Sequence, residues 1–224
     1  MHINTAVMIE PRLHKHLELV INNMLFNLST DTSIHIFHGI KNKSFLCSRY
    51  KNEIDNNRIK LTDMNIDNLT VRQYSNILTS LKFWNAIEGD NILIFQTDSC
   101  LCMPVSEFDL SSYENYGYVG APCKPLPSTW QNGGFSLRKR QLMIAAIKDK
   151  KINESTWPED RFFSLVKRHI TRPAPYNLAL NFSVEQYYSP QPLGIHKAWL
   201  YLTPNKWKQL KKDFSAVNQV FNIL

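Results

Sequence analysis

Apolar residues follow two rhythms along this chain, and each rhythm predicts an element. Thr5 to Glu10 is a short apolar run, read as a first strand and broken by Pro11-Arg12. Leu13, Leu17, Val20, Met24 and Leu28 then recur at helical spacing. Ser33 to His38 predicts a second strand, closed by Gly39, and Arg58 to Leu61 a short third. Between them, Lys41 to Asn57 reads as polar and irregular. Thr70 opens a long helix with Val71, Tyr74, Leu78, Leu81 and Trp84 as its buried stripe and Gly89 as its stop. The strand Asn91 to Gln96 follows directly. This strand and helix alternation predicts an α/β chain with a mostly parallel sheet covered by helices.

The second half is punctuated by Pro104, Pro122, Pro125 and Pro127, which mark loops. Tyr118-Val119-Gly120-Ala121 predicts a strand leaving the sheet. Asn132 to Arg138 predicts a tight glycine turn entering a strand. Lys139 to Lys150 predicts a helix, and Pro158 opens another over Glu159 to Arg168. After Thr203-Pro204, the residues Trp207, Leu210, Phe214, Val217, Phe221 and Leu224 give an apolar stripe at helical intervals. The expected organisation is a single domain of two halves, residues 1–100 and 101–200, with 201–224 as a C-terminal amphipathic helix.

Composition narrows the partners. With 224 residues, 43% of them hydrophobic, the chain can build one core. The net charge of +7 points to an anionic partner. No recognition helix or RNA-binding motif is present, so nucleic acid is not the expected one. The four cysteines form no C-x-x-C pair and are expected as reduced thiols in a cytoplasmic protein. No run approaches a membrane span. The cluster Lys206, Lys208, Lys211 and Lys212 beside Trp207 and Phe214 leaves room for peripheral contact with an anionic membrane, against the plainer reading of a helix with solvated lysines.

The chemistry has few places to reside. Seven glycines form neither a dinucleotide fingerprint nor a Walker-type loop. Three clusters remain: Gln96-Thr97-Asp98-Ser99; Asn132 to Arg138 with the later Trp157-Pro158-Glu159-Asp160; and Gly194 to Trp199 around His196 and Lys197. Asp98 ends an apolar strand, where ligands bind in open α/β sheets and where an acid can hold a divalent cation. An Asp that only starts a turn fits equally well. Gly133-Gly134 taken alone reads best as a hairpin turn. Glu159-Asp160 suits a helix first turn, and a lone histidine is more often hydrogen-bonded than ligating.

Taken in order, these runs resemble a GT-A nucleotide-sugar glycosyltransferase, and more narrowly a small glycosyltransferase-like family on that Rossmann-like fold. The resembling runs are residues 92–99, Tyr118 to Pro122, Asn132 to Arg138, Pro158 to Phe163, Phe182 to Glu185 and Gly194 to Lys197. The resemblance implies a hexosyltransferase-like enzyme, with residues 1–100 as its nucleotide-binding half and 101–200 as its donor-sugar and acceptor half. Its donor would be a nucleoside diphosphate sugar, UDP by preference. Its acceptor would be a hydroxyl of a glycan, a lipid-linked sugar or a protein, and transfer would lean toward inversion. It implies Mn²⁺ or Mg²⁺ held by Asp98 and His196. Gln96 stands where the fold usually carries the first acid of an Asp-x-Asp, so it would meet a ribose or a metal-bound water instead. Lys197 would meet the diphosphate, Gly133 and Gly134 the donor sugar, and Glu10 and Arg12 the nucleotide. Tyr74 would face the same pocket, or simply pack in the core. Asp160 would be the base, with Glu159 as second choice. The rival expectation is a non-catalytic glycan- or nucleotide-binding domain with a degraded metal site. A nucleotidyltransferase would want more metal carboxylates than this chain offers.

Overall fold

The computed structural model describes residues 1–124, 130–149 and 158–221. Lys150, Pro125, Pro127, Trp157 and Leu224, used in the reading above, lie outside the described residues. In chain order the elements are β1 (Thr5–Glu10), α1 (Leu17–Asn27), β2 (Ser33–His38), α2 (Lys43–Arg49), α3 (Lys51–Asp55), β3 (Ile59–Asp63), α4 (Val71–Leu78), α5 (Leu81–Asn85), β4 (Asn91–Phe95), β5 (Ser99–Leu101), β6 (Tyr118–Pro122), β7 (Gln131–Lys139), α6 (Arg140–Lys148), α7 (Glu159–Arg161), α8 (Arg168–Thr171), α9 (Tyr176–Phe182), β8 (Ser183–Val184), β9 (Gly194–His196), α10 (Pro204–Asp213) and α11 (Ser215–Phe221).

Six strands form the central sheet in the order β3-β2-β1-β4-β7-β6. The first four are parallel to one another, and β7 runs antiparallel between β4 and β6. The apolar runs of β1 and β4 are nearly continuous because both faces of the sheet are covered. Ala6, Met8, Leu93 and Phe95 point to the side of α1 and α11, while Val7, Ile9, Ile92 and Ile94 meet Leu78, Trp84 and Met143 of α4, α5 and α6. A second, three-stranded sheet in the order β5-β9-β8 extends from the end of β4.

The predicted strands are present; several helices differ. Lys41 to Asn57 contains α2 and α3, short polar helices that bury little beyond Leu46, so no apolar stripe announces them. The long helix from Thr70 is two helices. Thr70 caps α4 through a full capping box with Gln73, and Ser80 caps α5, which restarts the chain in a new direction. Val71 is consequently exposed at 70% rather than buried. Gly89 ends this region at φ +80°, as expected. Gly133 and Gly134 lie inside β7 and form no turn. β6 stays in the sheet as its edge rather than leaving it. After Pro158, a single turn of α7 passes into a π-type turn over Phe162–Val166, with the Lys167 N–H reaching the Phe162 carbonyl, before α8. The C-terminal stripe breaks at Phe214 into α10 and α11.

Candidate active site

The C-terminal ends of β1 and β4 open on one edge of the sheet, and register brings the remaining groups to the same edge. Phe95 pairs with Phe135, so Gly133 and Gly134 run beside Gln96 and Thr97. Ser99 pairs with His196, which sets the histidine against Asp98. Asp98 stands at the tip of a tight turn. The Gln96 N–H donates to Ser99 Oγ, and the Ser99 N–H and hydroxyl donate to the Gln96 carbonyl. The backbone N–H of Lys197 donates to the Asp98 carbonyl at 3.0 Å, and Lys197 itself adopts φ +48°. That left-handed conformation is uncommon for a side-chain-bearing residue and turns the lysine back over the carboxylate.

Four polar side chains meet there. Asp98 Oδ1 and Gln96 Oε1 each lie 3.2 Å from Nε2 of His196, and Asp98 Oδ2 lies 3.3 Å from Nζ of Lys197. Burial would raise the Asp98 carboxyl, but the imidazole of His196 and the ammonium of Lys197 outweigh it and hold Asp98 well below the usual carboxylate range. Burial would lower His196. Asp98 and Glu185 on either side win and push it up to about 9. Asp98 Oδ1 is nonetheless buried without a hydrogen-bond partner among the described residues; its approach to Nε2 has the distance of a pair but not the direction of a hydrogen bond.

These donors fit a divalent cation. Ligand atoms about 2.1 Å from a cation and at right angles sit about 3 Å apart, close to the spacing of Nε2 from its two oxygen neighbours. The orphaned Asp98 oxygen is the atom such an ion would satisfy. No group of three His, Cys, Asp or Glu side chains converges among the described residues, so the amide oxygen of Gln96 would complete the set.

The glycines are required by proximity. A Cβ on Gly134 would lie 2.2 Å from Nε2 of His196, and one on Gly133 would lie 2.3 Å from Oε1 of Glu159. Both side chains pack directly on the bare backbone of β7. On the far side of that backbone, Arg138 is fully buried. It holds Glu159 through two nitrogens at 2.7 and 3.1 Å and also donates to the Gly133 carbonyl and Ser136 Oγ. Both Glu159 oxygens are thereby engaged. Asp160 is not so tied: its Oδ1 accepts from the Arg161 N–H at 2.6 Å. Burial, then the charge of Glu159, pushes Asp160 up to about 7.

The cleft continues toward β1 as a cavity of about 430 Å³ bordered by Arg12, His14, Thr70, Tyr74, Gln96 and Lys197. Glu10 does not open into it as a free acid. Both its oxygens accept from the Arg12 side chain at 2.8 Å, so Glu10 aims the guanidinium. The Tyr74 hydroxyl is buried with no hydrogen-bond partner among the described residues and stands where this cavity meets a smaller one of about 130 Å³ beside Gly133, Asp160 and His196. All the residues expected at the site thus border or support one cleft. The sequence reading assigned no role to Asn42, His14, Arg138 or Glu185. Asn42, fully buried, ties Gly39 to the carbonyls of Glu10 and Arg12. Arg138 pairs with an acid 21 positions away across α6, a separation that carries no local signal.

Known structures share this fold. The apo-form glycosyltransferase GlyE of Streptococcus pneumoniae TIGR4 superposes with a TM-score of 0.54 at 13% identity, covering 98% of this chain and 64% of that one. The chain therefore spans slightly less than two thirds of GlyE. The galactosyltransferase LgtC, in complex with donor and acceptor sugar analogs, superposes with a TM-score of 0.52 at 12% identity over 96% of both chains. A second LgtC structure, of an active-site mutant, gives 0.52 at 11% over 93% of this chain and 94% of that one. At such identity the likeness establishes the fold, which is that of the GT-A glycosyltransferases. No curated protein matches the chain. The family described as "Protein of unknown function (DUF5672)" matches residues 58–196, from β3 to the histidine of β9, and the chain belongs to that family.

Proposed function

We propose that the protein transfers a sugar from a nucleoside diphosphate sugar, UDP by preference, to an acceptor hydroxyl. The observation that carries this reading is the placement of two unlike polar groups on the two sides of Gly133-Gly134: the cationic and carboxylate cluster of Asp98, His196 and Lys197, and the perturbed acid Asp160. Arg12, oriented by Glu10, and Lys197 bind the diphosphate. Tyr74 offers its hydroxyl to the donor at the junction of the two cavities. Asp98, His196 and Gln96 would hold Mn²⁺ or Mg²⁺, which supplies Lewis-acid neutralisation of the leaving diphosphate. Asp160 takes the acceptor proton, and a carboxyl titrating near 7 is matched to that task. Glu159, fully occupied by Arg138, supports Asp160 rather than replacing it. A base opposite the donor side favours inversion.

The acceptor is a glycan, a lipid-linked sugar or a protein. No described helix is long and apolar enough to cross a membrane. The exposed lysines of α10 would give a lipid-linked acceptor a peripheral foothold. The unbridged cysteines suit a cytoplasmic setting. One observation favours a second reading: Gln96 in place of an acid leaves a single metal carboxylate, as a binding domain without turnover would show. A thermal-shift panel of nucleotide sugars with and without Mn²⁺, followed by turnover, tests both. Saturation at about 100 times Kd stabilises the fold by about 2.7 kcal/mol. A cation-dependent shift with turnover supports the transferase. A shift without turnover for any acceptor class supports the binding domain, and no shift with any donor removes both.

A further inference from the structure

Glu185 is a buried acid of this region that the reaction above does not use. It follows β8, which lies parallel to β9 with Val184 opposite Ile195, so the register sets Glu185 level with His196. The residue is 3% exposed. Its Oε1 lies 3.6 Å from Nδ1 of His196, the ring nitrogen opposite the one that faces Asp98 and Gln96. Nδ1 and the second oxygen, Oε2, are both buried without a hydrogen bond among the described residues. A buried carboxylate so placed is expensive to keep in an apolar setting. Its geometry gives the reason for it. An imidazole presents a lone pair on one nitrogen when the other carries the proton, and an acceptor behind the ring decides which.

We propose that Glu185 is a positioning residue for the cation site, accepting a hydrogen bond from Nδ1–H of His196 so that the Nε2 lone pair faces Asp98 Oδ1 and Gln96 Oε1. The proposal rests on the cation and donor reading given above. The ring is then held on two sides. The bare backbone of Gly134 forms its floor, where a Cβ would come within 2.5 Å of three ring atoms, and Glu185 stands behind it. A movement of a few tenths of an ångström brings Glu185 from ion-pair distance to hydrogen-bond distance. Ser183, two residues earlier, is also fully buried, its hydroxyl without a hydrogen-bond partner among the described residues, so this polar strip lies behind the site rather than at its mouth.

The test is Mn²⁺ binding to the whole chain, followed by calorimetry and by electron paramagnetic resonance of free Mn²⁺, with and without UDP. Loss of a carboxylate behind a ligating histidine typically weakens metal binding about 10–100-fold. Glu185→Leu is expected to show that loss, with the melting temperature without Mn²⁺ no lower than that of the parent. Glu185→Gln, whose carbonyl can still accept, recovers most of the affinity. In a His196→Ala background, Glu185→Leu has no further effect. Equal Mn²⁺ affinity of the parent and Glu185→Leu overturns the proposal while leaving the cation reading intact. No Mn²⁺ binding by the parent, with or without UDP, removes the cation reading and this role together. Should Glu185→Leu not fold, ¹⁵N spectra of His196 in the Mg²⁺-loaded parent decide: a proton on Nδ1 supports the proposal, and a proton on Nε2 overturns it.

Discussion

Replacing Asp160 by Asn separates the chemistry of this side chain from its burden on the fold. Asn is nearly isosteric, and its carbonyl can still accept from the Arg161 N–H, a contact of 2.6 Å in the parent. The turnover effect is the loss of a general base, about 10²–10⁴-fold. The stability effect has the opposite sign. The folded state pushes Asp160 from 3.8 up to about 7, so the native protein holds a proton that the unfolded chain has already released. Stability is therefore lost as pH rises from about 4 to about 7, and the loss is constant above that. At about 1.36 kcal/mol per unit the ceiling is about 4 kcal/mol. Partial solvent access to Asp160 halves this to about 2 kcal/mol. Asn carries no such term. In a domain of this size the variant should melt roughly 4–8 °C above the parent at pH 8, with the gap narrowing toward pH 4. Differential scanning calorimetry across that range, paired with turnover of both proteins at pH 8, provides the measurement. In the parent, kcat/KM should rise with pH to a plateau above about 7, because the unprotonated acid is the working form. A variant that melts below the parent at pH 8, or a gap that ignores pH, would refute the assignment of Asp160 as a strained, functional acid.

Two further outcomes follow from the packing around β7. Arg138→Met leaves Glu159 charged and unpaired in a buried site, which costs about 3–5 kcal/mol; urea unfolding should show this and should show most of it restored in Arg138→Met/Glu159→Gln, whereas a mild single effect would mean that Glu159 finds another partner. Gly134→Ala forces the His196 ring aside and should destabilise by about 1–3 kcal/mol while weakening Mn²⁺ binding, read by melting temperature and calorimetry; parental values for both would mean that the histidine can vacate its place without penalty.

The strands were legible in the chain because a strand covered on both faces reads as an unbroken apolar run. β1 and β4 show this, and the end of β4 at Phe95, three residues before Asp98, marks the edge where ligands bind. Residue order was enough to choose His196, Lys197, Gly133 and Asp160 as candidates, since each is a polar or bare position that a core does not need. Short polar helices such as α2 and α3 carry no apolar stripe and stayed hidden. The division of α4 from α5 depends on Ser80 capping a second start.

What each candidate touches was decided only by tertiary structure. Antiparallel pairing of β7 with β4 converts what looks like a glycine turn into a bare stretch of strand, on which His196 packs from one side and Glu159 from the other. The same pairing gives both oxygens of Glu159 to Arg138, while burial raises the carboxyl of Asp160, a difference between adjacent acids that the sequence reading ranked only through the family resemblance. The physical reason is range. Propensity and periodicity act over a few residues, whereas the electrostatics of a buried group depend on partners tens to a hundred positions away, brought near only when the sheet has formed.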